Sequence, residues 1–111
     1  AVATARRNAE RAGVAGRVRF ATGDLSELVR PPGPPGLVVC NPPYGRRLGT
    51  RGTVRPVFAQ LGAVLSQRFA GYRAAVLCPD RRLERELRAL VVARHSLDNG
   101  GIRVELLLLA F

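Results

Sequence analysis

The sequence predicts an α/β domain: a mainly parallel sheet packed against helices and closed by an antiparallel hairpin at the C-terminal end. Three observations carry this. Two short runs, residues 36–40 (Gly-Leu-Val-Val-Cys) and 73–78 (Arg-Ala-Ala-Val-Leu-Cys), are almost uniformly apolar, as strands covered on both faces must be. Each is followed by a stretch of helical periodicity, and strands alternating with helices imply crossover connections and parallel pairing. Near the end, Asn99-Gly100-Gly101 separates two extended segments, a short-range hairpin signal.

Taken in order, residues 1–12 read as a helix. Val2, Ala5, Ala9 and Ala12 share one face, and Gly13 suits the left-handed residue that follows a helix. Residues 17–21 (Arg-Val-Arg-Phe-Ala) alternate and read as a strand, broken by Gly23-Asp24. The Pro- and Gly-rich residues 31–36 form a loop. The strand that follows ends at Cys40, because Pro42 and Pro43 cannot donate to a ladder. Residues 46–53 are polar, basic and Gly-containing and read as a mobile loop. Pro56 fits the first turn of a helix whose apolar stripe is Val57, Phe58, Leu61, Val64, Leu65 and Phe69, closed by Gly71. After the 73–78 strand, Asp80 is a candidate N-cap for a helix whose inner face is Leu83, Leu87, Leu90 and Val91. The hairpin runs from His95 to Asp98, turns at 99–101, and returns along residues 102–111.

The 111 residues suffice for one domain with a modest core. Hydrophobic residues make up 47% of the chain, which favours a packed globule over disorder. No apolar run approaches the roughly 20 residues that cross a bilayer, and the N-terminus carries no secretion signal pattern, so a cytoplasmic protein without membrane attachment is expected. The net charge is +10, and all 18 basic residues are Arg. Charge of this size suits a phosphate-rich partner. A codon bias toward Arg accounts for the lack of Lys, but not for the excess of cations over Asp and Glu. Cys40 and Cys78 lack the spacing of a zinc site and read as small buried hydrophobes at strand ends, and no metal is expected.

The chemistry sits at Asn41-Pro42-Pro43-Tyr44-Gly45. In open α/β sheets ligands bind beyond the carboxyl ends of the strands, which is where this run falls. The prolines fix the turn and remove two N–H donors. What remains is a rigid pair of acceptors, the Asn41 side-chain oxygen and the Pro42 carbonyl, suited to an amine with two hydrogens. Tyr44 offers a ring to stack on a flat base, and Gly45 lets the chain bend away. A base amine is a poor nucleophile, because its lone pair is delocalised. Two acceptors on its hydrogens favour a more tetrahedral nitrogen and aim the lone pair at an incoming methyl group. No strong general base is then needed. His95 lies elsewhere, as a packing or solvent-facing residue.

Asn41-Pro42-Pro43-Tyr44 is similar to the [N/D/S]-P-P-[Y/F/W] motif of class I, S-adenosylmethionine-dependent amino methyltransferases. The longer run Asn41-Pro42-Pro43-Tyr44-Gly45-Arg46-Arg47-Leu48-Gly49 resembles a narrower group, the THUMP-associated RNA methyltransferases that include ribosomal RNA guanine-N2 enzymes. Residues 5–14 (Ala-Arg-Arg-Asn-Ala-Glu-Arg-Ala-Gly-Val) resemble that group's "A-x-x-N-A-x-x-A-G-[V/I]" helix, and Asn99-Gly100-Gly101 its hairpin more weakly. The likeness covers essentially the whole chain. It implies a Rossmann-like class I methyltransferase fold and methyl transfer from S-adenosylmethionine to guanine N2 in RNA, with ribosomal RNA the expected partner. It implies that Asn41, Pro42, Pro43 and Tyr44 form the catalytic motif, and that Tyr44, Gly45, Arg46 and Arg47 meet the substrate. Asp24 would accept from the cofactor adenine amine, with Leu25 beside the ring and Asn41 also near the cofactor.

The group's Gly-rich cofactor loop and its ribose-binding acid do not occur in this sequence. The expectation is therefore a single partial catalytic domain over residues 1–111, without the first two strands of the fold and inactive alone. In the group's strand order, 3-2-1-4-5-7-6, their absence leaves two strand edges open, which invites self-association or pairing with a missing N-terminal part of the same chain. Adenine-N6 DNA methyltransferases and protein-glutamine methyltransferases share Asn-Pro-Pro-Tyr. The Gly-x-Arg-Leu-Gly continuation argues against both, and the basic charge against a protein substrate. A non-catalytic RNA-binding module is the remaining alternative.

Overall fold

The computed structural model describes residues 1–43 and 51–111, with side chains from residue 54 onward in the second segment. In chain order the elements are helix α1 (Val2–Arg11), strand β1 (Leu37–Cys40), helix α2 (Arg51–Arg68), strand β2 (Arg73–Cys78), helix α3 (Arg81–Leu87), strand β3 (Leu90–Asn99) and strand β4 (Ile102–Ala110). Short 3₁₀ turns lie at Ala15–Arg17 and Leu25–Glu27. The sheet order is β1-β2-β4-β3. β1 and β2 are parallel, joined through α2, while β4 is antiparallel to both its neighbours. The mixed α/β architecture with a closing hairpin is the expected one, but the sheet is not mainly parallel: among the described residues one of its three strand pairings is parallel and two are antiparallel, because the hairpin strand β4 inserts next to β2.

Register assigns the two faces, because directly paired residues share a side of the sheet. Val38, Ala74, Leu109 and Val91 form one row, and Cys40, Val76, Leu107 and Arg94 the next. These rows face the helices. The core joins Ala74, Val76, Cys78, Leu107 and Leu109 to Val54, Phe58, Leu61, Val64, Leu65 and Phe69 of α2 and to Leu83 and Leu87 of α3. Phe58 and Leu65 are fully enclosed, each contributing roughly 1.5–3 kcal/mol by burial.

Several boundaries differ from the sequence expectation. Residues 18–21 form no strand. Val18 has extended angles (φ −124°, ψ 130°) but is 43% exposed and, among the described residues, lies in no ladder. Alternation gives a segment the right faces, but a strand also needs a neighbour to take its hydrogen bonds. The α2 helix begins at Arg51, so Pro56 sits inside it rather than in its first turn. Of the expected loop at 46–53, residues 51–53 are helical backbone and the rest lies outside the described residues. The α3 helix stops at Leu87, where Arg88 turns left-handed at φ 49°, so Leu90 and Val91 belong to β3, with Leu90 67% exposed.

Other signals hold. Asp80 caps α3, its Oδ1 accepting from Leu83 N–H at 2.9 Å. Gly13 is left-handed (φ 74°) after α1. The pair Asn99↔Ile102 leaves Gly100-Gly101 as a two-residue turn with φ 62° and 85°, the positive angles that a type I′ turn needs. Cys78 is buried and Cys40 partly so, both as free thiols.

Candidate active site

The parallel pair β1/β2 defines the site edge. Cys40 pairs with Val76, so the chain leaves β1 at Asn41 beside the last residues of β2. Asn41 is exposed, Pro42 buried and Pro43 exposed. That sequence follows from the residue types. A ring without an N–H can be packed without orphaning a donor, and burying Pro42 anchors the turn. The Asn41 side chain is then presented to solvent at the carboxyl end of a strand. Tyr44, Gly45, Arg46 and Arg47, the remainder of the expected motif, lie outside the described residues.

Below the same strand, burial raises the Cys40 thiol above its ordinary range. Burial likewise pushes Cys78 up to about 11, against a smaller opposing effect of its hydrogen bond to the Asp80 carbonyl at 3.2 Å. Both thiols are thus protonated near neutral pH and serve as packing, not as nucleophiles.

Asp24 heads the 3₁₀ turn at Leu25–Glu27. Its N–H donates to Glu27 Oε1 at 3.2 Å, and Ser26 Oγ donates to its Oδ2 at 3.0 Å. Leu25 is partly buried against the core. The turn is tied to α2: Arg68 Nη1 donates to the carbonyls of Ser26 and Leu28, both at 2.7 Å. Arg30 continues the tie, donating to the Ala70 carbonyl at 3.1 Å with its guanidinium 5.1 Å from the Tyr72 ring centre. The structure therefore seats Asp24 and Leu25 by α2. Among the described residues no hydrogen bond joins Asp24 to Asn41. Sequence reasoning missed Arg68 and Arg30, because their partners lie about forty residues away in sequence.

Among the described residues no group of His, Cys, Asp and Glu could hold a metal ion, and no helix is long and apolar enough to cross a membrane. His95 is exposed on β3.

Against family models, residues 1–106 match the RMKL-like, methyltransferase domain. The chain belongs to the RMKL-like methyltransferase domain family. Its relatives agree. It is 42% identical over 110 residues to the ribosomal RNA large subunit methyltransferase K/L of Allochromatium vinosum, covering 96% of this chain and 15% of that protein. The Legionella pneumophila enzyme of the same name is 43% identical over 105 residues, covering 95% and 15%. Among solved structures, a candidate methylase from Clostridium difficile 630 superposes with a TM-score of 0.83 at 25% identity, over 98% of this chain and 28% of that one. SMU.472, a proposed methyltransferase solved in complex with SAH, gives 0.86 at 24% identity over the same shares and attests the fold. The RMKL-like domain seen here thus spans well under a third of these relatives' length.

Proposed function

We propose that the protein transfers a methyl group from S-adenosylmethionine to an exocyclic base amine, guanine N2, of ribosomal RNA, and works in the cytoplasm. The observation that carries this reading is the turn at Asn41: an exposed carboxamide held on a buried proline at the carboxyl end of a parallel strand. The related K/L enzymes are named for ribosomal RNA methylation, and the +10 charge suits an RNA partner.

The residues present fit the polar edge of an adenosyl group. Asp24 is exposed and held by a hydroxyl and a turn, not by an ion pair among the described residues, so its carboxylate can accept from an adenine amine. Leu25, anchored on the core, supplies apolar surface for the ring. S-adenosylmethionine, when bound, supplies an electrophilic methyl carbon on a sulfonium. Asn41 and the Pro42 carbonyl accept the two amine hydrogens and orient the nitrogen lone pair. Pro43 stiffens the turn, while Tyr44 stacks on the extruded base, with Gly45, Arg46 and Arg47 along its flank.

In the full-length protein, Asn41→Ala should lower kcat for methyl transfer to ribosomal RNA by roughly 100-fold or more. RNA affinity should stay within about twofold, since the carboxamide adds little to phosphate-dominated binding. The check is transfer of a radiolabelled methyl group, alongside RNA titration. Normal turnover by the variant would overturn the amine-acceptor mechanism.

A further inference from the structure

We propose that the exposed surface shared by α2 and α3, centred on Arg55, Arg82 and Arg85, holds RNA phosphates beside the Asn41 turn. The proposal rests on the RNA methyltransferase reading and names the surface that positions its substrate.

Location is the first argument. Cys40 is level with Val76, so Cys78 lies about 7 Å further along a strand that runs about 4.8 Å away. The α3 helix starts three residues after Cys78. Its arginines therefore rise from the same edge of the sheet as the Asn41 turn. Arg55, near the start of α2, is brought to α3 by its bond to Glu86.

Charge is the second. Arg55, Arg82, Arg85 and Glu86 line a depression of ≈ 280 Å³. Three guanidiniums and a single carboxylate line it, and only one of the three is paired with that carboxylate. Glu86 Oε1 takes two N–H groups of Arg55, at 2.6 and 3.1 Å, leaving three of its five donors. Arg82 and Arg85 have no carboxylate within ion-pair distance among the described residues. The other acids nearby are already committed: Glu84 and Glu105 both bind Arg94 and Arg81.

The third argument is helix phase. Leu83 and Leu87 of α3 are buried, which turns Arg82 and Arg85 outward. Spaced i, i+3, they are neighbours on the helix surface and repel each other. Holding two like charges side by side costs stability unless an anion lies between them. Both are exposed, so binding strips little water, and guanidinium forks match phosphate oxygens two at a time.

The test uses the full-length protein with a ribosomal RNA fragment. Arg82→Ala/Arg85→Ala should weaken binding roughly tenfold and reduce the slope of log K against log salt by roughly 1.5, as expected for two lost contacts to unpaired RNA. KM for RNA should rise with kcat little changed. The same two charges removed from α1 and the first 3₁₀ turn, as Arg11→Ala/Arg17→Ala, should move the slope far less. An unchanged slope in the α3 variant, or an equal change in both, would overturn the proposal. If the unmutated protein binds RNA with this α3 dependence yet transfers no methyl group, the enzymatic reading fails and the binding surface stands. If it transfers methyl groups normally and the α3 variant matches it, the surface fails alone.

Discussion

The Glu84 carboxylate shows how much one residue can depend on elements far apart in sequence. Arg94 of β3 grips it with two N–H groups, Nη1 to Oε1 at 2.8 Å and Nη2 to Oε2 at 3.2 Å. This hydrogen bonding, aided by the positive charges of Arg94, Arg81 and Arg85, holds the carboxyl below the usual glutamate range. The pH dependence follows from that direction. As pH falls past about 4.3, Glu84 in the unfolded chain takes up a proton first, so the folded state loses its advantage until the native carboxyl itself protonates. Thermal melts of the protein should show Tm falling as pH drops below that value, and Glu84→Gln should flatten this decline. Parallel profiles for the two proteins would dismiss the assignment. Asp80 was legible in sequence as a cap, because its partner is three residues away. Glu84 was not, since nothing local says that β3 will fold back along α3.

At the scale of elements, α2 and α3 approach backbone to backbone at Gly62. A Cβ built on Gly62 would come within 2.8 Å of Leu87 Cα and 2.7 Å of its carbonyl carbon. The obstruction is backbone, at the last residue of α3, and cannot rotate aside. Gly62 thus lets α2 lie directly on the end of the helix that carries Arg82 and Arg85. Ala is the better helix former by about 1 kcal/mol, yet Gly62→Ala should destabilise the fold by a net of roughly 1–3 kcal/mol, because the helices must separate. Urea unfolding followed by circular dichroism would measure this; a variant as stable as the parent would mean that the helix pair yields freely. Sequence pattern located both helices and both parallel strands, because a 3.6-residue stripe and an apolar run are local properties. It missed the end of α3, where a left-handed Arg88 does what a glycine usually signals. It also made a strand of residues 17–21, where periodicity was present and, among the described residues, a pairing neighbour was not. The candidate site was legible to the same degree. The Asn41 turn follows from residue types alone, whereas the attachment of Asp24 through Arg68 follows from the folded path.

For the whole molecule, register exposes an asymmetry between the two sides of the sheet. One side is covered by α2 and α3. On the other, Leu37, Arg73, Ala110 and Leu90 form a row, followed by Val39, Ala75, Leu108 and Ala93. Leu37, Val39 and Leu90 are 61%, 73% and 67% exposed. Each would gain up to roughly 1.5–3 kcal/mol if covered. β1 adds an unpaired edge, since among the described residues it pairs with β2 alone. An apolar face beside an open edge is the arrangement that soluble domains usually avoid with charge or cover. The 111-residue chain by itself should therefore associate with its own copies. Sedimentation velocity should show the weight-average size rising with concentration on the order of 10 μM, the affinity that a few such residues can supply after the entropy of association is met. Val39→Lys places a charge on the exposed face of the edge strand itself, without touching the core rows, and should shift the midpoint at least roughly tenfold higher. A chain that sediments as a monomer at all concentrations up to roughly 100 μM would show that the face is too weakly apolar to drive assembly.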